Sequence, residues 1–483
     1  MSRPNFLIVM TDHQRGDTVY PDDPCLTPNL ERFAAQGISF TETFTPMAHC
    51  CPARATFFSG LYPSRHGVWN NVNNGMALSR GLNDGVRLFS EDLKDAGYNM
   101  AYCGKWHVSA VEHPEDRGWT DLDANRTEGM RDEGAAWESY KEMAKQPPKE
   151  PEDGDIPMPG YVPHTLYGGT DRPHQDERRC ERAIEALPEL AGDDRPWCMF
   201  VGLTMPHAPY RAPKKYLDLY DLADVRLPES FADEMGDKPR YYQKLRKMHF
   251  APLGERKTRD AMRHFWAMCT YLDDLFGRLL CTLDETGQAN DTVVLYLSDH
   301  GDYNGDHGLF HKGVPCFRGA YHVPAVVRWP AGLRHPGRAV DELVSLADFA
   351  PTFLDLAGVR ADRYFTGRSL MPFLCGETPE GWRDFLCTQC DGVENYFTQR
   401  SIWTRDYKYT YNGFDYDEFY DLRKDPHEMV NRFEEAQYRE VIHDLTRKMW
   451  RFAYEEADHL GSSGHYVTIS TAPWGPIEAF KED

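Results

Sequence analysis

The chain predicts an α/β fold of the doubly covered kind: a mostly parallel central sheet with helices on both faces, then a smaller α+β subdomain on an antiparallel sheet. Three observations carry this. Short apolar runs such as Phe6-Leu7-Ile8-Val9-Met10 alternate with amphipathic helical stretches. Each run ends in a polar cluster: Thr11-Asp12-His13, Gly104-Lys105-Trp106-His107, Met205-Pro206-His207 and Ser298-Asp299-His300. Beyond about residue 370 the pattern changes to closely spaced aromatic strands and one terminal helix.

The first strand spans Asn5 to Met10. A helix follows from Thr27, an N-cap residue type placed before Pro28, with Leu30, Phe33 and Ala34 as its apolar face and Gly37 as its stop. The segment after Cys50 enters a second helix. Another helix ends over Leu93 to Gly97, and Asn99 to Cys103 is a short strand. Residues 110–175 are polar and rich in Pro and Gly, which predicts an insertion carrying Trp119, Trp137, Tyr140 and Tyr161. Strands return at Trp197–Leu203 and Thr292–Leu297. A catalytic domain is expected over residues 1–370 and a subdomain with a tail over 371–483. The subdomain strands are expected at Ser401–Trp403, Tyr407–Tyr411 and Glu418–Leu422, and its helix at about 436–456. The tail from Gly461 holds Tyr466, Val467, Ile469, Trp474, Ile477 and Phe480, too many large apolar groups for a solvated end. It is expected to pack on the catalytic domain, the subdomain or a neighbouring copy in a homo-oligomer.

Composition narrows the function. The 483 residues carry a net charge of −22, which argues against nucleic acid or an anionic membrane as partner. No run is long enough to span a membrane, and the first apolar run is too short for a signal core. The 12 cysteines show no disulfide spacing and read as reduced thiols of a cytoplasmic protein. Cys387 and Cys390 alone do not make a zinc or redox motif; they read as two thiols near a strand.

In open α/β sheets ligands bind beyond the carboxyl ends of the strands, where every polar cluster named above falls. Asp12 and Asp299 offer hard oxygen donors from two strand ends, with His13 and His300 beside them, which suits one divalent cation. In Cys50-Cys51-Pro52-Ala53-Arg54 a cysteine stands two before proline and four before arginine. That pattern is read by enzymes that oxidise cysteine to formylglycine, and the register selects Cys50 rather than Cys51.

With the run on to Gly67, Pro206-His207-Ala208-Pro209, Gly305-Asp306-His307-Gly308-Leu309, Lys312, Tyr321-His322-Val323-Pro324 and Tyr420-Asp421-Leu422-Arg423-Lys424-Asp425-Pro426, the chain resembles the type I sulfatases of the alkaline-phosphatase-like superfamily. The resemblance implies a metal-dependent sulfuric ester hydrolase acting on sulfate monoesters; carbohydrate, aryl and small alkyl sulfates all stay open, and sulfated sugars are the favoured expectation. It implies a cation, calcium first with manganese or magnesium as alternatives, held by Asp12, Asp299, His300 and residue 50. His13, where many relatives have a second Asp, is a further candidate ligand. Formylglycine at residue 50, made by a maturation enzyme, would be the nucleophile as its hydrate. Arg54 would stabilise that hydrate, and Lys105 and Lys312 would bind sulfate. His107 would act as base and His207 would serve the leaving oxygen. A phosphonate monoester hydrolase or phosphodiesterase of the same superfamily is the rival: the histidines at 13 and 300 pull toward it, Lys105-Trp106-His107 toward a sulfatase. A silent binding protein with unmodified Cys50 is the non-enzymatic alternative.

Overall fold

The computed structural model describes residues 3–21, 23–123, 138, 141–142, 144–145, 147, 152–156, 164–170, 172–393, 395–413, 415–461 and 475–481. In chain order the first strands are β1 (Asn5–Asp12), β2 (Ile38–Phe44), β3 (Asn99–Gly104), β4 (Thr120–Asp121), β5 (Asp155–Ile156) and β6 (His164–Thr165). Next come β7 (Trp197–Pro206), β8 (Thr292–Ser298), β9 (Ala325–Arg328) and β10 (Arg338–Ser345). The C-terminal strands are β11 (Phe385–Gly392), β12 (Tyr396–Thr404), β13 (Tyr407–Asn412) and β14 (Glu418–Asp421). The main sheet has eight strands in the order β10-β2-β9-β8-β1-β7-β3-β4. All its pairings are parallel except those of β9, which opposes both β2 and β8. Strands β11 to β14 form an antiparallel meander. The α/β architecture with an antiparallel C-terminal sheet is therefore as the sequence predicts.

Alternation along β1 explains its burial. Phe6, Ile8 and Met10 enter one core, and Leu7 and Val9 enter the core on the other face. Each such side chain stabilises the fold by about 1.5–3 kcal/mol. A strand buried on both faces needs the continuous apolar run that the sequence shows. The run stops at Asp12, where β1 passes out between β7 and β8. Close approach matters where β3 meets β7. Gly104 has φ of 101° and pairs with Gly202, and a Cβ on Gly104 would stand 2.0 Å from the Gly202 carbonyl oxygen. Two small residues here let β3 deliver Lys105 beside β1.

Several local expectations need correction. Thr27 precedes the helix Pro28–Ala35, but its side chain does not cap it. The cap comes from Asp273, whose carboxylate accepts from the backbone N–H groups of Asn29 at 3.0 Å and Leu30 at 2.7 Å. The 110–175 segment is not an excursion from its start. Thr120–Asp121 pairs with β3 and Trp119 packs in the core. Trp137, Tyr140 and Tyr161 lie outside the described residues, and β5 pairs with β6 in a two-stranded ribbon. The helix Gly254–Glu285, which packs on β7, has no counterpart among the sequence expectations. Nor do β2, β9 and β10, whereas β11 is the strand expected near Cys387 and Cys390.

Cys387 and Cys390 sit on β11 and pack in different cores. None of the twelve cysteines is joined in a disulfide. In the tail, Tyr466, Val467, Ile469 and Trp474 lie outside the described residues. The described part packs on the terminal helix Arg439–Glu455 through buried Ala479 and bonds from Arg447 and Arg451 to its carbonyl oxygens. Phe480 is 61% exposed and meets the edge of Tyr454, so the packing expected of the tail's large apolar groups does not cover this side chain among the described residues. Among the described residues no helix is long and apolar enough to cross a membrane.

Candidate active site

The ends of β1, β3, β7 and β8 and the start of the helix Cys50–Ser59 converge on one point. That helix is buried at every residue, so it is held by packing on all sides. Cys50 opens it, and Arg54 follows one turn later on the same face. Cys50 Sγ lies 3.2 Å from His300 Nε2, 3.6 Å from Asp12 Oδ1 and 3.5 Å from Lys312 Nζ. Arg54 donates from Nε to Asp299 Oδ2 at 2.8 Å and from Nη1 to the Lys105 carbonyl at 2.9 Å. Lys105 pairs with Asp12 Oδ2. Lys312 meets His13 Nε2 and stands 3.4 Å from His207 Nε2.

The sequence expectations thus fall in one place, with two qualifications. Donor atoms of Asp12, His13, Cys50 and His300 lie within 4.8 Å of one another, and all four residues are buried. Asp299 is not in that group: its Oδ2 binds Arg54, while Oδ1 accepts from the His300 backbone N–H and stands 3.8 Å from His300 Nε2. His107, at the end of β3, is half-buried with φ of 53° and lies near His49. His13 also has positive φ, 72°, an uncommon conformation held here at the site.

The electrostatics follow from crowding of cations. Burial and Asp12 oppose ionisation of Cys50, but Lys105, Lys312 and His300 together hold its thiol well below the usual range. Asp12 is likewise low: burial opposes its charge, and Lys105 first, then His207 and His300, overcome that. Asp299 is raised, by burial and by the Asp12 charge. Burial and then Lys312 push His207 down to about 4, and the same two causes hold His13 low. Both rings are neutral at pH 7. His207 Nδ1 donates to the Ala208 carbonyl at 2.6 Å, which leaves Nε2 as an acceptor facing Lys312.

The donor set fits one divalent cation. Ligands about 2.1 Å from an ion and at right angles stand about 3 Å apart. The separations among Asp12, Cys50 and His300, 3.2 to 3.6 Å, approach that spacing. Cys50 Sγ occupies the place that the oxygens of a formylglycine would take.

Four contributors escaped the sequence reading. Asp302 accepts from His13 Nδ1 at 2.9 Å, and Tyr210 donates to the same carboxylate. Burial raises Asp302 to about 6. His311 lies beside His13, and His49 is buried next to Cys50. His13 and Asp302 are 289 residues apart, so no local spacing pairs them. The only available signal was their placement at the ends of two apolar runs.

Comparison with known proteins agrees with the geometry. A family model described as Sulfatase matches residues 4–359, and one described as N-sulphoglucosamine sulphohydrolase, C-terminal, matches 305–455. The chain is 30% identical to the uncharacterized sulfatase YidJ of Escherichia coli K12, over 98% of this chain and 91% of that protein. It is 29% identical to a choline-sulfatase of Rhizobium meliloti, over 89% and 82%. The phosphonate monoester hydrolase of Agrobacterium radiobacter superposes with a TM-score of 0.76 at 24% identity, over 95% and 97%. The match over most of its length, joined to the converging strand ends, means that the chain belongs to the sulfatase family.

Proposed function

We propose that the protein hydrolyses sulfate monoesters, using formylglycine derived from Cys50 and one divalent cation. The observation that carries this is the position of Cys50 Sγ, within 3.6 Å of a carboxylate oxygen, an imidazole nitrogen and an ammonium group. A structural thiol has no use for such neighbours, and a nucleophile does. The cation, when bound by Asp12, His13, His300 and residue 50, would withdraw charge from a sulfate oxygen. Asp299 Oδ1 is near enough to His300 to join the ligands, while its Oδ2 orients Arg54.

The chain's own residues do the rest. Lys105 and Lys312 bind sulfate oxygens and offset developing charge. Arg54, fixed by Asp299 and two carbonyls, holds residue 50 in place. Lys312 brings the proton near the leaving oxygen, and His207 Nε2 is the acceptor that orients it. His107 serves as base on residue 50 during sulfate release. The local cations also answer the global charge of −22, which repels an anionic substrate.

A sulfated sugar is the favoured substrate, because the second matching family model describes a sugar sulphohydrolase. The division at about residue 370, a cytoplasmic location and a maturation enzyme as partner belong to the same reading. A phosphonate monoester hydrolase is the second reading, favoured by the imidazole donors at 13 and 300 and the structural likeness to such an enzyme. Mass analysis of the peptide containing residue 50, then kcat/KM on matched sulfate and phosphonate monoesters, tests both. Modified residue 50 and faster sulfate turnover are expected. Unmodified Cys50 in fully active protein overturns the nucleophile, and faster phosphonate turnover selects the second reading.

A further inference from the structure

One member of the candidate cation site is fixed from behind. His13 Nδ1 lies 2.9 Å from Asp302 Oδ2, and both residues are fully buried. Tyr210 donates its hydroxyl to the same oxygen at 2.8 Å. Asp302 Oδ1 accepts the backbone N–H groups of Asn304 and His311, each at 2.9 Å. Both Asp302 oxygens already face donors, the Tyr210 hydroxyl and two backbone N–H groups, so the carboxylate meets His13 as an acceptor and the ring hydrogen sits on Nδ1. His13 Nε2 is then the ring's acceptor, and it is the atom that meets Lys312.

His13, Asp302 and His311 also bring donor atoms within 4.8 Å of one another. A second ion there is the weaker explanation. It would have to strip the proton from His13 Nδ1 and compete with four hydrogen bonds on one carboxylate. Behind a metal-bound histidine, a carboxylate commonly sets the tautomer and the ring orientation.

We infer that Asp302 and Tyr210 are positioning residues that commit His13 to coordinate a cation through Nε2, and that this nitrogen makes the site select a first-row transition cation over calcium. The inference rests on the metal reading above. Its chemical basis is that calcium takes oxygen ligands in large number, whereas imidazole nitrogen suits the transition series. Two imidazoles in a four-residue group are many for calcium.

The test uses the metal-stripped full chain. Binding of Mn2+, Co2+ and Ca2+ is measured by equilibrium dialysis with ion analysis, and Co2+ is also followed by its visible spectrum. One ion per chain is expected, with Co2+ and Mn2+ bound tighter than Ca2+. Asp302→Asn should weaken Co2+ and Mn2+ by about 10- to 100-fold and alter the Co2+ spectrum, while shifting Ca2+ by less than about threefold. Tyr210→Phe should act in the same direction and less. His13→Asp should reverse the preference toward Ca2+; it decides the matter even if Asp302→Asn does not fold. Ca2+ preference in the parent, two ions per chain, or a His13→Asp protein with unchanged preference overturns this inference alone. No bound ion of any kind overturns it together with the metal reading.

Discussion

Two buried lysines show what distinguishes a site from a scaffold. Lys408, in the C-terminal sheet, pairs with Glu428 and donates to the Cys316 carbonyl. Its Nζ lies 4.7 Å from the Trp403 ring and 4.6 Å from Tyr420. Its neighbours are thus a carboxylate, a carbonyl and aromatic faces. Lys105 also pairs with a carboxylate, Asp12, but Lys312, His300 and His207 all act on that same carboxylate. A buried cation alone therefore marks nothing, since a satisfied one is architecture. Converging like charges around a thiol are costly in the fold alone and become favourable when an anion arrives.

The comparison is tested most sharply at its centre. Cys50→Ala should lower kcat by at least about 10³-fold with the melting temperature nearly unchanged, because it removes the reacting group and no packing partner. Cys51→Ser should keep most activity. Equal losses in kcat from the two would make the neighbourhood of Cys50 an accident of packing.

The two lysines should next give opposite signatures. Among the described residues Lys312 bonds to His13, Cys50 and His207 and to no carboxylate, so Lys312→Met relieves crowding while removing a sulfate contact. Its kcat should fall about 10²- to 10³-fold, with stability held or raised. Lys408→Met strands Glu428 in the core and should cost about 3–5 kcal/mol in denaturant unfolding, with kcat of the folded fraction unchanged. A Lys408 variant that is stable but inactive would break the distinction.

Much of this was readable before any coordinates. β1, β3, β7 and β8 are buried on both faces, so their apolar runs are continuous and end abruptly at Asp12, Lys105, His207 and Asp299. The motif at Cys50 is local, so spacing alone fixed the register. What escaped depends on tertiary partners. Asp273 caps a helix 244 residues away, at Asn29, and Asp302 holds His13 across 289. β2 escaped because its Ser39-Phe40-Thr41-Glu42 stretch mixes buried and half-buried positions near the edge of the sheet. The exposed Phe480 shows the opposite error: apolar composition at a chain end does not say which side chain is covered.

A smaller effect separates structural from functional histidines by pH. His66 lies beneath the Cys50 helix, bonded to Thr56 at 3.0 Å, and burial pushes it down to about 3. The unfolded chain takes up this proton near pH 6.5, while the folded chain resists until about pH 3. The neutral ring's stabilisation is thus complete above pH 6.5 and lost on acidification, by about 3 kcal/mol at pH 4. His66→Asn keeps an acceptor for the Val68 N–H and cannot titrate. It should be less stable than the parent at pH 7 and flatter between pH 6.5 and 4. Parallel stability–pH curves would mean that His66 is already protonated in the fold.

The smallest effect belongs to the chain's end. Residues 475–481 lie on the terminal helix, away from Cys50, with Ala479 buried and with bonds from Arg447 to the Lys481 carbonyl at 2.7 Å and from Arg451 to that of Ala479 at 3.4 Å. Two such bonds at a surface contribute about 1–2 kcal/mol net. A chain ending before residue 475 should therefore lose about that much in denaturant unfolding and keep its kcat/KM for every substrate. The alternative role, an arm that narrows the mouth of the active site, requires the reverse pattern. A changed substrate profile with unchanged stability would move this segment from the scaffold to the site.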